Sequence, residues 1–205
     1  MIKFLNIFQI KNYLKTISKN NLNINCNLKS SRIVIKGKNN LVEISNSNLK
    51  KIKVGIDGNN NSLTINSKVY MRNSNIIIKG ENLKVVIGDN CNIGGIKIVC
   101  AGKNSSIKIG KDCLLAGNIE IRNNDGHSII SNETIINNSK NITISDKVWI
   151  GENAKILKGA NIGSNSVIAL NALVTCGNYD NNVILAGIPA KIIKKDIYWK
   201  NDLPD

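Results

Sequence analysis

The chain has 205 residues, of which 42% are hydrophobic but only 4% aromatic, and it carries a formal net charge of +14. This length suits one domain with an aliphatic core, and the charge either suits an anionic partner or reflects a composition rich in Lys, Asn and Ile. Five cysteines without a CxxC pair argue against a disulfide framework and a zinc site and favour a cytoplasmic protein, and no nucleic-acid recognition module is visible.

The first predicted element covers residues 1–20, MIKFLNIFQIKNYLKTISKN. Ile2, Leu5, Phe8 and Tyr13 fall near helical spacing, which predicts a short amphipathic helix packed on the main body. Polar residues interrupt the apolar run and no small-residue cleavage site follows, so the segment resembles neither a signal peptide nor a membrane span. Binding to a membrane surface has no support in the sequence.

A loose repeat with a period of 21 or 22 residues follows. Each unit begins with glycine after an alternating strand such as RIVI or NIII, and the Asn and Gly residues between strands favour turns with left-handed backbone angles. A coil of short strands with a few additional turn residues accounts for this interval. The units read GKNNLVEI, GNNNSLTI, GENLKVVI and GKNSSIKI and begin at Gly37, Gly58, Gly80 and Gly102.

A strict period of six begins at residue 144, in the blocks ISDKVW IGENAK ILKGAN IGSNSV IALNAL VTCGNY. Every block starts with an aliphatic residue, and the fifth position is small or modest in all but the last block, where it is Asn178. A period of six fits neither an α-helix nor a coiled coil. Three hexapeptides instead close a triangular coil whose strands stack in parallel. Similar blocks near residues 87 and 109 put Cys91 and Cys113 at the fifth position, as core filler.

These repeats predict an all-β parallel solenoid over residues 21–188, with a C-terminal tail over residues 189–205. Two breaks stand out in the repeat, residues 122–140, RNNDGHSIISNETIINNSK, and the stretch after Cys176. A loop that interrupts a regular solenoid usually carries function. The first break contains His127, the single histidine of the chain, for which a structural role in a turn is the alternative.

The motifs resemble those of the hexapeptide-repeat acyltransferases, in particular the sugar and polysaccharide O-acetyltransferases of bacterial surface-glycan pathways. Four stretches carry the resemblance in family order, namely DGHSI, VWIGENAKILKGANIG, SVIALNALVT and AGIPAKIIKK. The resemblance implies a left-handed parallel β-helix, opposite to the general right-handed rule for parallel crossovers. It also implies a homotrimer with an active site at each interface.

The resemblance assigns roles to three candidate catalytic residues. His127 would be the general base that takes the proton from the acceptor hydroxyl. Asp125 would orient the imidazole or bind the acceptor, although its Asn-Asn-Asp-Gly run is equally typical of a turn. Trp149 would offer its N–H to the acetyl oxygen or its ring as a wall of the acceptor pocket, with a trimer-interface aromatic as the alternative.

The resemblance also implies acetyl-CoA as the acyl donor, held along a groove between two subunits. The chain departs from the family pattern where ALNA replaces Gly-Ala-Gly-Ser, which would narrow the pantetheine channel, and where Cys176 replaces a lysine, which would weaken phosphate binding. A run of lysines is otherwise typical of a solvated face. No metal site is predicted. The cofactor contacts implied are the backbone at Glu152 and Leu170, Thr175, and, near the phosphates, Lys191 and Lys194.

The sequence therefore predicts an acetyl-CoA-dependent O-acetyltransferase that acts on a sugar hydroxyl of a surface polysaccharide or its precursor. An N-acetyltransferase or small-metabolite acyltransferase of the same fold is an alternative, and a non-catalytic solenoid scaffold is another. A γ-type carbonic anhydrase would need three histidines on zinc, and the chain has one. Nothing in the loop selects one acceptor sugar over another.

Overall fold

The protein is described by a computed structural model that covers residues 3–4 and 12–202. Within these residues the chain forms strands and turns, and no helix is long and apolar enough to cross a lipid bilayer. The strands in chain order are β1 (Lys3–Phe4), β2 (Tyr13–Thr16), β3 (Asn21–Lys29), β4 (Arg32–Lys36), β5 (Leu41–Lys50), β6 (Lys53–Asn59), β7 (Ser62–Ile65), β8 (Tyr70–Arg72), β9 (Asn75–Glu81), β10 (Lys84–Ile87), β11 (Asn92–Ile93), β12 (Ile96–Lys103), β13 (Ser106–Ile109), β14 (Leu114–Leu115), β15 (Ile119–Arg122), β16 (Ile130–Ser131), β17 (Thr134–Ile135), β18 (Ile142–Ile144), β19 (Trp149–Ile150), β20 (Lys155–Leu157), β21 (Ala160–Ile162), β22 (Val167–Ile168), β23 (Leu173–Val174), β24 (Gly177–Tyr179), β25 (Ile184–Gly187) and β26 (Ala190–Lys194).

The strands stack in parallel into a solenoid with three faces. The first face contains β7, β10, β13, β18, β21 and β24, and the second contains β8, β11, β14, β19, β22 and β25. Strands β3 and β5 are long enough to run along both, so these faces form one 16-stranded sheet. The third face is an 8-stranded parallel sheet of β2, β4, β6, β9, β12, β15, β20 and β23. The predicted all-β parallel solenoid is confirmed.

The core is a set of stacked aliphatic columns. The leading residues of the hexapeptide blocks are fully buried, and Ile87, Ile109, Ile144 and Ile162 pair in register on the first face. Burying each such side chain contributes about 1.5–3 kcal/mol. The small fifth positions are buried in the same way, whereas Asn178, the one departure, is exposed.

The predicted core cysteines are confirmed as core residues. Cys91 and Cys113 are each 1% exposed, and the backbone N–H of Val148 donates to the Cys113 Sγ at 3.5 Å. Burial also raises the pKa of Cys26 to about 11 and that of Cys100 to about 12. Both thiols therefore stay protonated at neutral pH, which suits packing rather than nucleophilic chemistry.

Each coil turns at three corners, most of which have a residue with positive φ. Asparagine occupies most of these positions because its short polar side chain tolerates the left-handed conformation. We name the corners by the faces that they join. Positive-φ residues of the 3–1 corner include Asn39, Asn60, Asn82 and Asn104; those of the 1–2 corner include Asn90, Asp112, Lys147, Asn165 and Asn182; and those of the 2–3 corner include Lys51, Asn73, Asn118, Asn153 and Asn171.

Two asparagines have a different role, because their side chains are buried at the 3–1 corner. Asn40 and Asn61 are 0% and 1% exposed. The Asn61 N–H donates to the Asn40 Oδ1 at 2.9 Å, and its own Oδ1 accepts from the Leu83 N–H at 3.0 Å. These side-chain amides accept hydrogen bonds from backbone N–H groups that have no strand partner at the turn. The N–H groups are therefore not buried without a hydrogen bond, which would destabilise the fold.

Part of the predicted N-terminal helix lies in described residues, and there the prediction is wrong. Residues Lys3–Phe4 pair in parallel with β3, and Tyr13–Thr16 pair in parallel with β4. The exposed edge of the first coil offers unpaired backbone groups, and a strand satisfies them where a helix would not. Residues 1–2 and 5–11 of the predicted helix lie outside the described residues.

Glycine is required at one column of the 3–1 corner. Gly80 has φ +137°, and a Cβ on it would collide with the carbonyl oxygen of Gly102 in the next coil. We expect Gly80→Ala to lower the free energy of unfolding by about 2 kcal/mol or more, because the backbone must shift and still hold an unfavourable φ. Urea or thermal unfolding measures this.

Gly55→Ala is the matched control, since Gly55 lies on β6 of an adjacent coil and has no heavy atom within 4 Å of its ideal Cβ position. Its unfolding free energy should stay within about 0.5 kcal/mol of the wild type or rise slightly. Equal losses in the two variants would contradict the explanation.

Candidate active site

The loop predicted from the break in the repeat leaves the solenoid between β15 and β18, at the 3–1 corner. Asn123, which is fully buried, holds its base. The Asn123 Oδ1 accepts from the Ala101 N–H at 2.7 Å, its Nδ2 donates to the Ser105 Oγ at 2.8 Å, and its carbonyl accepts from the Lys140 N–H at 3.0 Å. Both ends of the loop are thereby fixed to the solenoid.

His127 lies in this loop with its side chain exposed. Its carbonyl accepts from the Asn137 Nδ2 at 2.8 Å, and the Asn137 Oδ1 accepts from the Ile129 N–H at 2.7 Å. The Asn137 side chain, on the returning half of the loop, therefore binds the outgoing half at the residues before and after Ser128. Among the described residues, no hydrogen bond involves the imidazole, so both ring nitrogens are free for a ligand.

Asp125 ties the loop to the body of the solenoid. Its Oδ2 accepts from the Lys158 Nζ and, at 3.0 Å, from the Asn137 Nδ2, while the Lys158 Nζ also donates to the Asn137 carbonyl at 3.0 Å. The hydrogen bond from Lys158 is the main cause that lowers the pKa of the Asp125 carboxyl, helped by that from Asn137 and opposed by partial burial. The carboxylate stays ionised and, among the described residues, has these two side chains as hydrogen-bond partners rather than the imidazole.

The loop also carries a small apolar hairpin. Strands β16 and β17 pair in antiparallel fashion beyond His127. Four isoleucines of this hairpin are 46–66% exposed, whereas the isoleucines that face into the coils are buried. They are Ile129, Ile130, Ile135 and Ile136.

Trp149 begins β19 on the second face and is 39% exposed. The ring of Trp199 packs against it at a centroid distance of 6.1 Å and an interplanar angle of 49°. The Trp199 Nε1–H donates to the Lys147 carbonyl at 2.9 Å, whereas the Trp149 Nε1–H makes no hydrogen bond with the described residues. The indole N–H of Trp149 is thus the free donor of the pair.

A groove of about 1110 Å³ runs along the 2–3 corner across several coils. Its walls include Gly94 and Gly117, which carry no side chain, and the amides of Asn118, Asn153 and Asn171. A long, narrow chain with amide groups would fit such a groove, because the floor is smooth and the sides offer hydrogen bonds.

Glu152 and Leu170 occupy successive rungs of the 2–3 corner, beside the groove residues Asn153 and Asn171. The Asn171 N–H donates to the Glu152 carbonyl at 2.9 Å, which stacks the two corners. The Leu170 side chain is 67% exposed. The predicted backbone contacts thus lie next to the groove.

The other predicted cofactor residues lie elsewhere. Thr175 follows β23 at the 3–1 corner, and its carbonyl accepts from the Tyr179 hydroxyl at 3.1 Å. Lys191 and Lys194 are exposed on β26, which pairs in antiparallel fashion with β25. Ile188, in the turn of that hairpin, lines the groove. Next to Thr175, the exposed Cys176 has the Lys140 Nζ 3.9 Å from its Sγ.

One chain does not bring all the predicted site residues together. His127 and Asp125 lie at the 3–1 corner, Trp149 lies on the second face just after the 1–2 corner, and Glu152 and Leu170 lie at the 2–3 corner. Sequence reasoning missed three residues that hold the site, Lys158, Asn137 and Trp199. Only Trp199 gave a signal, as one of two tryptophans in a chain poor in aromatic residues.

The chain has sequence relatives among known acetyltransferases. No protein-family model matches the chain. The polysialic acid O-acetyltransferase of Neisseria meningitidis is 34% identical over 191 residues, which are 91% of this chain and 78% of that protein. Several other curated acetyltransferases match over shorter stretches, in which the chain spans less than a third of their length.

Two solved structures resemble the fold along almost its whole length. The polySia-specific acetyltransferase NeuO matches with a TM-score of 0.80 and 30% identity, over 94% of this chain and 87% of that one. The polysialic acid O-acetyltransferase OatWY matches with a TM-score of 0.77 and 28% identity, over 95% and 93%. With a shared solenoid and sequence identity that extends over most of both chains, this chain belongs to the hexapeptide-repeat O-acetyltransferases.

Proposed function

We propose that the protein transfers an acetyl group from acetyl-CoA to a sugar hydroxyl of a surface polysaccharide or its precursor, with His127 as the general base. The main support is the loop that Asn137 and Lys158 hold in place, because it presents an imidazole with free nitrogens at a corner of the solenoid. The polysialic acid O-acetyltransferases among the relatives support a polysaccharide acceptor.

The residues at the 2–3 corner fit coenzyme A. The glycine floor and asparagine walls of the groove suit a pantetheine arm, with backbone groups at Glu152 and Leu170 within its length. Exposed cations at Lys191 and Lys194, in the hairpin whose turn lines the groove, suit its phosphates. Thr175 would contact the coenzyme from the 3–1 corner. When bound, acetyl-CoA supplies the acetyl thioester that the acceptor hydroxyl attacks.

The proposed chemistry needs two groups from the chain. His127 takes the proton of the acceptor hydroxyl as the hydroxyl oxygen bonds to the acetyl carbon, and it gives that proton to the departing sulfur as the carbon–sulfur bond breaks, which leaves a free thiol and a neutral imidazole. The free Nε1–H of Trp149 stabilises the negative charge that develops on the acetyl oxygen. Asp125 is a positioning residue, since it holds the loop that carries His127.

A homotrimer would complete such a site. Because His127 and Trp149 lie at different corners of the same coil stack, a second copy must bring its own corner against the first. The exposed isoleucine hairpin next to His127 supplies an apolar surface for that contact. We propose a left-handed coil for this assembly, as the family resemblance implies, and a cytoplasmic location.

The first test is His127→Ala. We expect acceptor-dependent thiol release from acetyl-CoA to fall by about 10²–10⁴, the range for removal of a general base, while coenzyme A still binds. Thr134→Ala, an exposed change in the hairpin of the same loop, is the control and should keep wild-type activity. An unaffected His127→Ala enzyme would remove His127 from the proposed mechanism.

The roles proposed for Trp149 are separated by Trp149→Phe, which keeps an aromatic ring and removes the N–H. We expect kcat to fall by about 10²-fold with little change in the acceptor KM, as for loss of an oxyanion donor. Trp199→Phe removes only the hydrogen bond to the Lys147 carbonyl and should retain most of kcat. A change in KM alone for Trp149→Phe would instead assign the ring to the acceptor pocket.

Lys158 is proposed as a positioning residue, and Lys158→Met tests it. We expect kcat to fall by about tenfold or more through displacement of His127, with coenzyme A affinity unchanged. Asp125→Asn should have a similar effect at neutral pH. Lys108→Met, an exposed lysine on the first face outside the described ion pairs, is the control.

The same ion pair predicts a dependence on pH. The pKa of Asp125 is lowered in the folded protein, so its contribution is complete above the ordinary carboxyl pKa of about 3.9 and is lost as pH falls through the lower folded value. Hydrogen exchange of the loop amides should therefore stay slow at mildly acidic pH in the wild type. The Lys158→Met loop should exchange faster across the same range, and equal exchange would contradict the tie.

A further inference from the structure

Six cations gather on the first coils of the solenoid around the 2–3 corner. Lys29, Lys50 and Arg72 pair in register at the end of the second face. Arg32 and Lys53 pair in register at the start of the third face. Lys51 turns the corner between them with φ 55°. We call these residues, Lys29, Arg32, Lys50, Lys51, Lys53 and Arg72, the basic patch.

The basic patch lacks compensating charge. All six side chains are exposed, and none is within 4.0 Å of a carboxylate among the described residues, whose ion pairs involve other lysines and Arg122. Adjacent strands lie about 4.8 Å apart, so like charges in register repel one another unless an anion lies among them.

Two tyrosines interleave with the arginines of the basic patch. The Arg32 guanidinium lies 4.7 Å from the ring centroid of Tyr13, and that of Arg72 lies 5.7 Å from the ring centroid of Tyr70. The rings remain 45% and 44% exposed. Cation–π contact orients the guanidinium groups, which then offer paired N–H donors to planar anions such as carboxylates.

The basic patch continues into the groove. Asn73 directly follows Arg72, Asn75 pairs in register with Lys53, and both asparagines line the groove. The same column continues through Lys97 and Glu120 to Lys155, beside the proposed coenzyme site. Lys155 is four strand spacings from Lys53, about 19 Å, which one sugar residue cannot span.

We propose that the basic patch binds an extended, carboxylate-bearing polysaccharide, so that the acceptor is a polyanion held over several residues while one of its sugars reaches the transfer site. This inference rests on the proposed function and adds the charge and minimum extent of its acceptor. A linear polymer fits better than a bilayer because the cations follow one edge of the solenoid, in line with the groove, rather than a flat face.

The test compares two variants that lose the same charge. Lys50→Gln/Lys51→Gln/Lys53→Gln removes half of the basic patch, and Lys36→Gln/Lys38→Gln/Lys79→Gln removes three exposed lysines at or near the opposite edge of the third face. Binding of fluorescent long-chain polysialic acid and polygalacturonate to the full chain is measured by anisotropy. We expect the dissociation constant of at least one polymer to rise about tenfold in the first variant and less than twofold in the second.

Two further results are expected. The salt dependence of polymer binding should become shallower in the basic-patch variant, and binding of a disaccharide of the same sugar should be unaffected by it. Because binding is measured without chemistry, it is independent of acetyl transfer. Polymer binding without thiol release would contradict the proposed function and leave the basic patch supported.

Several outcomes would overturn the inference. These are absence of binding of either polymer, equal losses in the two variants, equal binding of neutral dextran, or stronger patch-dependent binding of RNA or of vesicles with an anionic lipid. Stronger patch-dependent binding of RNA would assign the basic patch to a nucleic acid, and stronger binding of the vesicles would assign it to a membrane surface.

Discussion

Everything in this protein depends on the register of its parallel coils. Backbone hydrogen bonds hold each coil one strand spacing from the next, so residues that pair in register from coil to coil form a column. Each column accepts only residue types that can stack on their own kind at that spacing. Isoleucine fills the inward columns, and the corners select asparagine for its left-handed conformation. At Gly80 the next coil lies so close that no side chain fits.

The same constraint determines where chemistry can be placed. A long insertion inside a strand would break the stack, so a functional loop must leave at a corner, and the His127 loop does so at the 3–1 corner. Once outside the stack it has no ladder to fix it. Asn123 holds its base, and the Asp125–Lys158 pair with Asn137 holds the segment that carries His127, so polar side-chain contacts replace the lost ladder.

Columns also bring together residues that are distant in sequence. Lys29, Lys50 and Arg72 are about one coil apart along the chain but neighbours in space. Six of the 28 cations, which look dispersed in the sequence, are therefore gathered at one edge. That edge leads into the groove beside the proposed coenzyme site, so in our proposal one continuous surface serves both the acetyl donor and a charged acceptor.

The sequence by itself determined the solenoid, because a period of six is incompatible with helical packing and each block shows which side chains point inward. It also identified the loop and His127, since a break in a regular repeat is visible without coordinates. It could not show that residues 13–16 form a strand, because their spacing fits a helix as well and only the free edge of β4 decides between them. Nor could it separate the buried amides of Asn40 and Asn61 from the many exposed asparagines, or assign Lys158 to Asp125 across 33 residues. Those depend on which columns become neighbours when the coils stack, and only the tertiary structure decided that.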